Sequence, residues 1–176
     1  MKKSGILGLS ALVVLMFSGC VSTLPINYAP SSILSASGSV SVVPFAYTPA
    51  ENHTVEPNQI RNTAAGSVLF DQNIDVIFRD AVFKELRFVG MKVDDPNRKL
   101  SGTIVEFLID DLGFNVDWTL IVNYRIVSAD KTTYESMKTV KWKTAKFVNV
   151  FGALNETIKK NIEELIKDPA FIAATK

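Results

Sequence analysis

"NVDWTLIVNYRIV", residues 115–127, decides the fold class. Val116, Trp118, Leu120, Val122, Tyr124 and Ile126 fall on alternate positions, while Asn115, Asp117, Thr119, Asn123 and Arg125 stand between them. A period of two sends these sets to opposite faces of an extended chain, giving a strand with one apolar and one wet face. One-sided strands are the mark of an antiparallel sheet covered on a single side. The neighbouring sequence has to supply the cover.

Downstream, "SADKTT" at 128–133 reads as a hairpin turn into a last strand from Tyr134 to Lys146. That strand places Tyr134, Val140 and Trp142 on one face and Glu135, Thr139, Lys141 and Lys143 on the other. Five lysines between 131 and 146 suit a sheet edge, where charge blocks unwanted pairing. A helix over Asn149–Lys167 carries Phe151, Leu154, Ile158, Ile162 and Leu165 on one stripe, and Asp168-Pro169 opens a further short turn as N-cap and N1.

Upstream, Leu100–Asp110 has Ile104 and Leu108 set against Val105, Phe107 and Ile109, which predicts a central strand covered on both faces. A turn is expected at Asp94–Asn97. Ile74, Ile77, Phe78, Ala81, Val82, Leu86 and Val89 repeat every three or four residues, predicting a helix capped by Asp71 or Asn73 and stopped at Gly90. Val76 and Phe83 fall off that stripe. Ser37–Tyr47 has the β-branched and aromatic content of a first strand, with Pro44 at an edge or near its end. The polar run 48–64 reads as a loop, and Ala65–Phe70 as a second strand in hairpin with the first. Together these predict one α+β domain over 37–176: a mainly antiparallel sheet of about four to five strands with two helices on one face, meeting Trp118, Tyr124 and Trp142.

The first 36 residues follow a different logic. Lys2 and Lys3 precede an apolar run from Ile6 to Phe17, and Ser18-Gly19-Cys20 follows, the layout of a secretory signal peptide over 1–19 cut between Gly19 and Cys20. Twelve helical residues rise only about 18 Å, short of a bilayer's roughly 30 Å core, so a permanent span is not expected. Ser18 and Gly19 before Cys20 resemble the bacterial lipobox, with Phe17 where that pattern usually has Leu. The resemblance implies that Cys20 takes a diacylglyceryl thioether and becomes an acylated N-terminus. Two or three chains hold a protein far more firmly than one. Cys20 is the chain's single cysteine, which leaves no thiol for a disulfide. Val21 stands where an Asp would favour the inner membrane in enteric-type sorting, which favours the inner leaflet of the outer membrane. Residues 20–36 read as the lipidated end and a flexible tether; Leu24, Ile26 and Tyr28 are the apolar residues through which part of it would instead pack on the domain.

Removing 1–19 takes away two lysines, so the 19 basic and 18 acidic side chains become 17 and 18. That balance lacks the basic footprint of a nucleic-acid binder. His53 is the only histidine and lies in the expected loop; Asp94-Asp95 and Asp110-Asp111 are adjacent pairs whose side chains diverge on a strand. No metal site, cofactor or catalytic constellation is expected, and the protein is read as a non-enzyme. Lys138, Lys141 and Lys143, with Lys131 and Lys146, form a candidate patch for anionic headgroups or lipid-linked sugars, or else a solvated edge. Val76 and Phe83 with the loop 48–64 form a candidate protein-docking surface.

"FSGC" (17–20), "FRDAVFKELRFVGMKV" (78–93) and "TAKFVNVFGALNETIKKNIEELIKDPAF" (144–171) resemble the YajG-like family of bacterial lipoproteins. They are similar, more weakly, to the auxiliary lipoproteins of ABC-type transporters. The first resemblance implies an envelope lipoprotein with no catalytic motif; the second implies partners in lipid-transport machinery. The expectation is a lipid-anchored domain facing the periplasm that holds an envelope protein near the membrane. The alternative is a lipid- or glycan-binding accessory of an envelope transport system, using the lysine edge or a groove between sheet and helices. The oligomeric state is not legible.

Overall fold

Residues 23–63, 68–146 and 148–176 are described by the structure, a computed structural model. They run β1 (Ser41–Val42), β2 (Ala46–Tyr47), α1 (Thr48–Glu51), β3 (Gln59–Asn62), β4 (Val68–Leu69), α2 (Ile74–Phe88), β5 (Arg98–Asp110), β6 (Asn115–Ser128), β7 (Lys131–Ala145), α3 (Val150–Ile166) and α4 (Pro169–Ala174). The alternating stretch is β6, paired antiparallel with β5 on one side and β7 on the other. Trp118, Leu120, Val122, Tyr124 and Ile126 are buried, so its period of two gives the covered face directly.

The sheet is larger than expected. Among the described residues it has seven strands, ordered β4-β3-β5-β6-β7, with β1 and β2 also on β5. β1, β2 and β3 lie parallel to β5 in succession, at Lys99–Leu100, Thr103–Ile104 and Leu108–Ile109. The single strand expected over 37–47 is two pieces because Pro44, between them, has no N–H to give a ladder. The run 48–64 is not simply a loop, since it contains α1 and β3. The short strand before Phe70 pairs antiparallel with β3, not with the first strand. Of the stretch 65–70, positions 65–67 lie outside the described residues.

β5 is also covered on one face only. Leu100, Gly102 and Ile104 are buried, then the parity changes and Phe107 and Ile109 are buried. A β-bulge does this: the pairing passes from Ile104↔Val122 to Glu106↔Ile121, leaving Val105 as the extra, exposed residue. A one-faced strand with a phase slip mimics a two-faced strand in sequence.

α2 and α3 pack over this face, as the two stripes predict. Asn73 is the N-cap of α2, though its side chain makes no capping bond. α2 stops where Gly90 turns to φ +103°, with Met91 N–H donating to Leu86 O and Gly90 N–H to Arg87 O, the paired bonds of a Schellman motif. Asn149 caps α3 by accepting from the N–H groups of Phe151 and Gly152, and Asp168 caps α4 at Ala170 with Pro169 in its first turn.

Two details explain how tightly the layers meet. Phe45 packs with ring centroids 5.5 Å from Phe78 and 6.1 Å from Tyr124. Its ring fits only because residue 102 is glycine; a Cβ there would stand 2.4 Å from Phe45 Cε1. Asn161, buried in α3, accepts from Tyr124 Oη at 2.8 Å and donates to the carbonyls of Leu120 (3.2 Å) and Lys138 (3.1 Å). This one side chain ties the helix to β6 and β7 and satisfies a buried phenol.

Candidate functional site

Cys20 and Gly19, the expected signal segment 1–19 and its expected cleavage point lie outside the described residues. The stretch expected as a tether does not behave as one from Thr23 onward. Leu24 N–H donates to Leu69 O at 2.8 Å and Leu24 O accepts from Asp71 N–H at 3.2 Å, so the chain joins the sheet as a partner of Phe70. Tyr28 and Ser32 are buried, and Ala36 N–H reaches Val89 O at 2.9 Å. The apolar residues Leu24, Ile26 and Tyr28 supply the reason: each finds a place on the core.

Glu85 is the polar counterpart of that packing. It lies on α2, fully buried, and accepts from Tyr28 Oη, from Ser32 N–H at 2.7 Å and from Ser31 N–H at 3.3 Å. Burial, then the bond to Glu85, pushes the Tyr28 phenol well above its ordinary value. Ser32 Oγ donates onward to Glu163 of α3 at 2.7 Å, while Lys84 Nζ reaches Asn27 Oδ1 at 3.0 Å. Both helices therefore grip residues 27–32. The sequence concealed this, because a glutamate beside an apolar stripe reads as a solvated helix residue.

The structure separates the three lysines. Lys138 is on the covered face with Tyr134 and Val140, its Nζ 2.6 Å from Asp168 Oδ2. Asp168 also accepts from Tyr134 Oη at 2.8 Å. The Lys138 ammonium, with that phenol and the Ala170 N–H, brings the Asp168 carboxyl down to about 2. Lys141 and Lys143 lie on the open face, with Lys143 3.0 Å from Asp117. Counting by twos from Tyr134 already puts residue 138 inside, so the signal was present in the sequence. Phe83 and the 48–64 segment line different recesses. Phe83 borders a recess with Arg87, Met91, Val93 and Asp94, whereas Ala50, Glu51 and Pro57 border another with Phe45, Asn73 and Asp75.

Space and chemistry inside the domain are limited. Between Ile26, Phe70, Phe78, Phe107, Leu154 and Ile158 the free volume is about 10 Å³, where a ligand pocket has roughly 300–1,000 Å³. Among the described residues no three His, Cys, Asp or Glu gather as metal ligands, and no helix is long and apolar enough to cross a membrane. His53 sits at φ 55° beyond α1, exposed. Asp110 accepts from Thr63 Oγ1 at 2.6 Å and from Leu112 N–H at 3.3 Å, and these bonds lower its carboxyl. Asp95 does the same for Ser39, Asn97 and Arg98. The aspartates brace turns.

Apolar side chains are left outside at one end of the sheet. β5 finishes there at Asp110, β6 starts at Asn115, β7 finishes at Ala145 and α3 starts at Val150. In the connection between β5 and β6, Leu112 is 70% and Phe114 98% exposed; Val148, Val150 and Phe151 are exposed across from them. Leu112, Gly113 and Phe114 share a recess with Lys146. Two apolar residues inside "DDLGFN", a turn otherwise polar, were the available signal.

No family model matches the sequence, and no curated protein matches it. Solved structures do match its fold. Protein XCC0632 of Xanthomonas campestris, described with the family model DUF330, superposes with a TM-score of 0.66 at 13% identity, covering 86% of this chain and 96% of its own. The hypothetical protein CT253 of Chlamydia trachomatis gives 0.54 at 11% identity over 79% and 99% of the two chains. Lipoprotein GNA1162 of Neisseria meningitidis gives 0.31 at 15% identity over 72% and 99%. The first two likenesses establish a shared fold.

Proposed function

We propose that the protein is a lipid-anchored component of the bacterial cell envelope. Its domain is a non-enzymatic module that faces the periplasm, on the inner leaflet of the outer membrane, and holds an envelope protein close to the bilayer. The observation that carries this is the run of Lys2-Lys3, an apolar segment and Ser18-Gly19-Cys20, four residues ahead of Leu24. Four extended residues reach no more than about 14 Å. With Leu24 bonded to the sheet, acyl chains on Cys20 would keep the domain against the membrane instead of at the end of a long leash.

A filled interior supports a binding surface over a carrier. About 10 Å³ in the core cannot house an acyl chain or sugar, so a lipid- or glycan-binding role would have to use the open recess of about 340 Å³ between β7 and α3, lined by Lys141, Trp142, Lys160 and Lys167. Near-neutral charge supports a protein partner over a nucleic acid.

Mass spectrometry of the mature protein's N-terminus tests the anchor. A Cys20 residue bearing a diacylglyceryl group and an N-acyl chain is expected; a bare N-terminus there would overturn the reading. Cys20→Ala should accumulate as a precursor of full length. Cross-linking in intact cells should return one stoichiometric envelope protein.

A further inference from the structure

The exposed apolar end and the point where the chain enters the domain lie on the same side. Leu24 pairs parallel with Phe70, beside β4. β4 is antiparallel to β3, and β3 is parallel to β5. Read backward from Leu24 to Thr23, the chain therefore heads for the end of the sheet where β5 finishes, the end carrying Leu112 and Phe114. Cys20 stands three residues before Thr23, within roughly 11 Å when fully extended. Ile26 also shares one apolar contact region with Leu154, about one turn along α3 from Val150 and Phe151.

We propose that this end is the surface by which the domain seats on the bilayer. Leu112 and Phe114 from one connection, and Val148, Val150 and Phe151 from the other, enter the lipid interface beside the Cys20 acyl chains. The inference rests on the anchoring proposed above and adds an orientation to it. An acyl anchor alone is a swivel; a second apolar contact beside it fixes which way the domain stands. The strands then stand steeply to the membrane, and the opposite end projects into the aqueous compartment. That far end carries the charged and polar residues Asp94, Asp95, Asn97 and Arg98 near the Ala129-Asp130 turn, with Phe88 at the end of α2 and Ile33 the apolar residues exposed toward it.

The chemistry at the near end fits a bilayer. Lys146 beside Phe114 has a long stem and a cation to set among headgroups. Asp110 is turned toward Thr63 and the Leu112 N–H, where it stiffens the loop. A second copy is a poorer occupant: a stable protein interface uses roughly 20–30 residues a side, and two connection tips offer a handful.

The test uses the full chain, processed and lipidated, in phosphatidylethanolamine–phosphatidylglycerol vesicles. Gly113→Cys adds a thiol without removing an apolar residue, and a Cβ there meets only Asn115 backbone atoms at 3.8 and 3.9 Å. A polarity-sensitive fluorophore on residue 113 is compared with the same label after Lys131→Cys at the far end. Doxyl-labelled lipid should quench the label at 113 at least about threefold more than that at 131, as for residues sunk about 5–10 Å into the interface. Iodide should show the reverse order. Adding Leu112→Ser and Phe114→Ser should abolish the difference with the N-terminal lipid mass unchanged. Equal iodide quenching at both positions, with lipid on Cys20, overturns the seating surface and leaves the anchor standing. A label at 113 shielded from both quenchers means a second copy covers it, and also overturns the proposal. No lipid on Cys20 overturns the anchor, and the seating with it.

Discussion

The two halves of the molecule are built in different ways. From Arg98 to Ile166, three long strands and a helix follow one another, and β6, β7 and α3 are regular enough to announce themselves by their period. From Thr23 to Phe70, the chain instead borrows its structure: short pieces lie along β5 or beside β3, and residues 27–32 hang on two helices. The first half makes a surface; the second is shaped by it. Ladder partners and buried carboxylates can order a segment that has no periodicity of its own, provided another element already presents them.

Breaking the regular half should have the largest effect. Asn161→Ala strands the Tyr124 hydroxyl and two carbonyls in the interior, and each buried unsatisfied group costs about 1–3 kcal/mol. A loss of roughly 3–4 kcal/mol in urea unfolding is expected. A loss below about 1 kcal/mol would mean that water or a neighbour replaces the bonds.

Gly102→Ala probes the seam between the halves. Its Cβ would overlap Phe45, so overpacking of about 1–3 kcal/mol is expected. Phe45→Leu should relieve part of it. A double-mutant cycle showing strict additivity would sink the explanation.

Glu85→Gln sharpens the contrast from the other side. One oxygen remains as an acceptor, so global stability should fall by only about 1 kcal/mol. Amide hydrogen exchange should rise across residues 27–36 and stay unchanged in β6. Equal acceleration in both would show that the N-terminal segment is no separable layer.

Acid should act mildly, and on the regular half. The Asp168 carboxyl, at about 2 when folded against an ordinary 3.8, binds its proton less readily folded than unfolded. Its contribution is present above pH 4 and is lost as pH falls from about 4 toward 2. Asp168→Asn should flatten stability over that interval, as followed by denaturant midpoints. An unchanged slope would assign the dependence to other carboxylates, Asp95 first.

Several features needed no coordinates. The stripe of α2 and α3, the cap at Asp168, the stop at Gly90 and the covered face of β6 are local, since each depends on residues within a turn or two. The lysine at 138 was legible by the same counting. The bulge at Val105 was not, because it is defined by what β6 offers opposite, and a phase slip leaves an apolar run looking two-sided.

The sequence by itself determined that an apolar layer of two helices would cover one side of a sheet, and it marked Cys20 as the residue to watch. Only the tertiary structure decided that β3 lies parallel along β5, that Glu85 is an interior acceptor, and that residues 24–36 belong to the domain. The reason is physical. Periodicity records which residues a chain must hide, but the partner that hides them can lie fifty or a hundred residues away, and it is chosen by geometry.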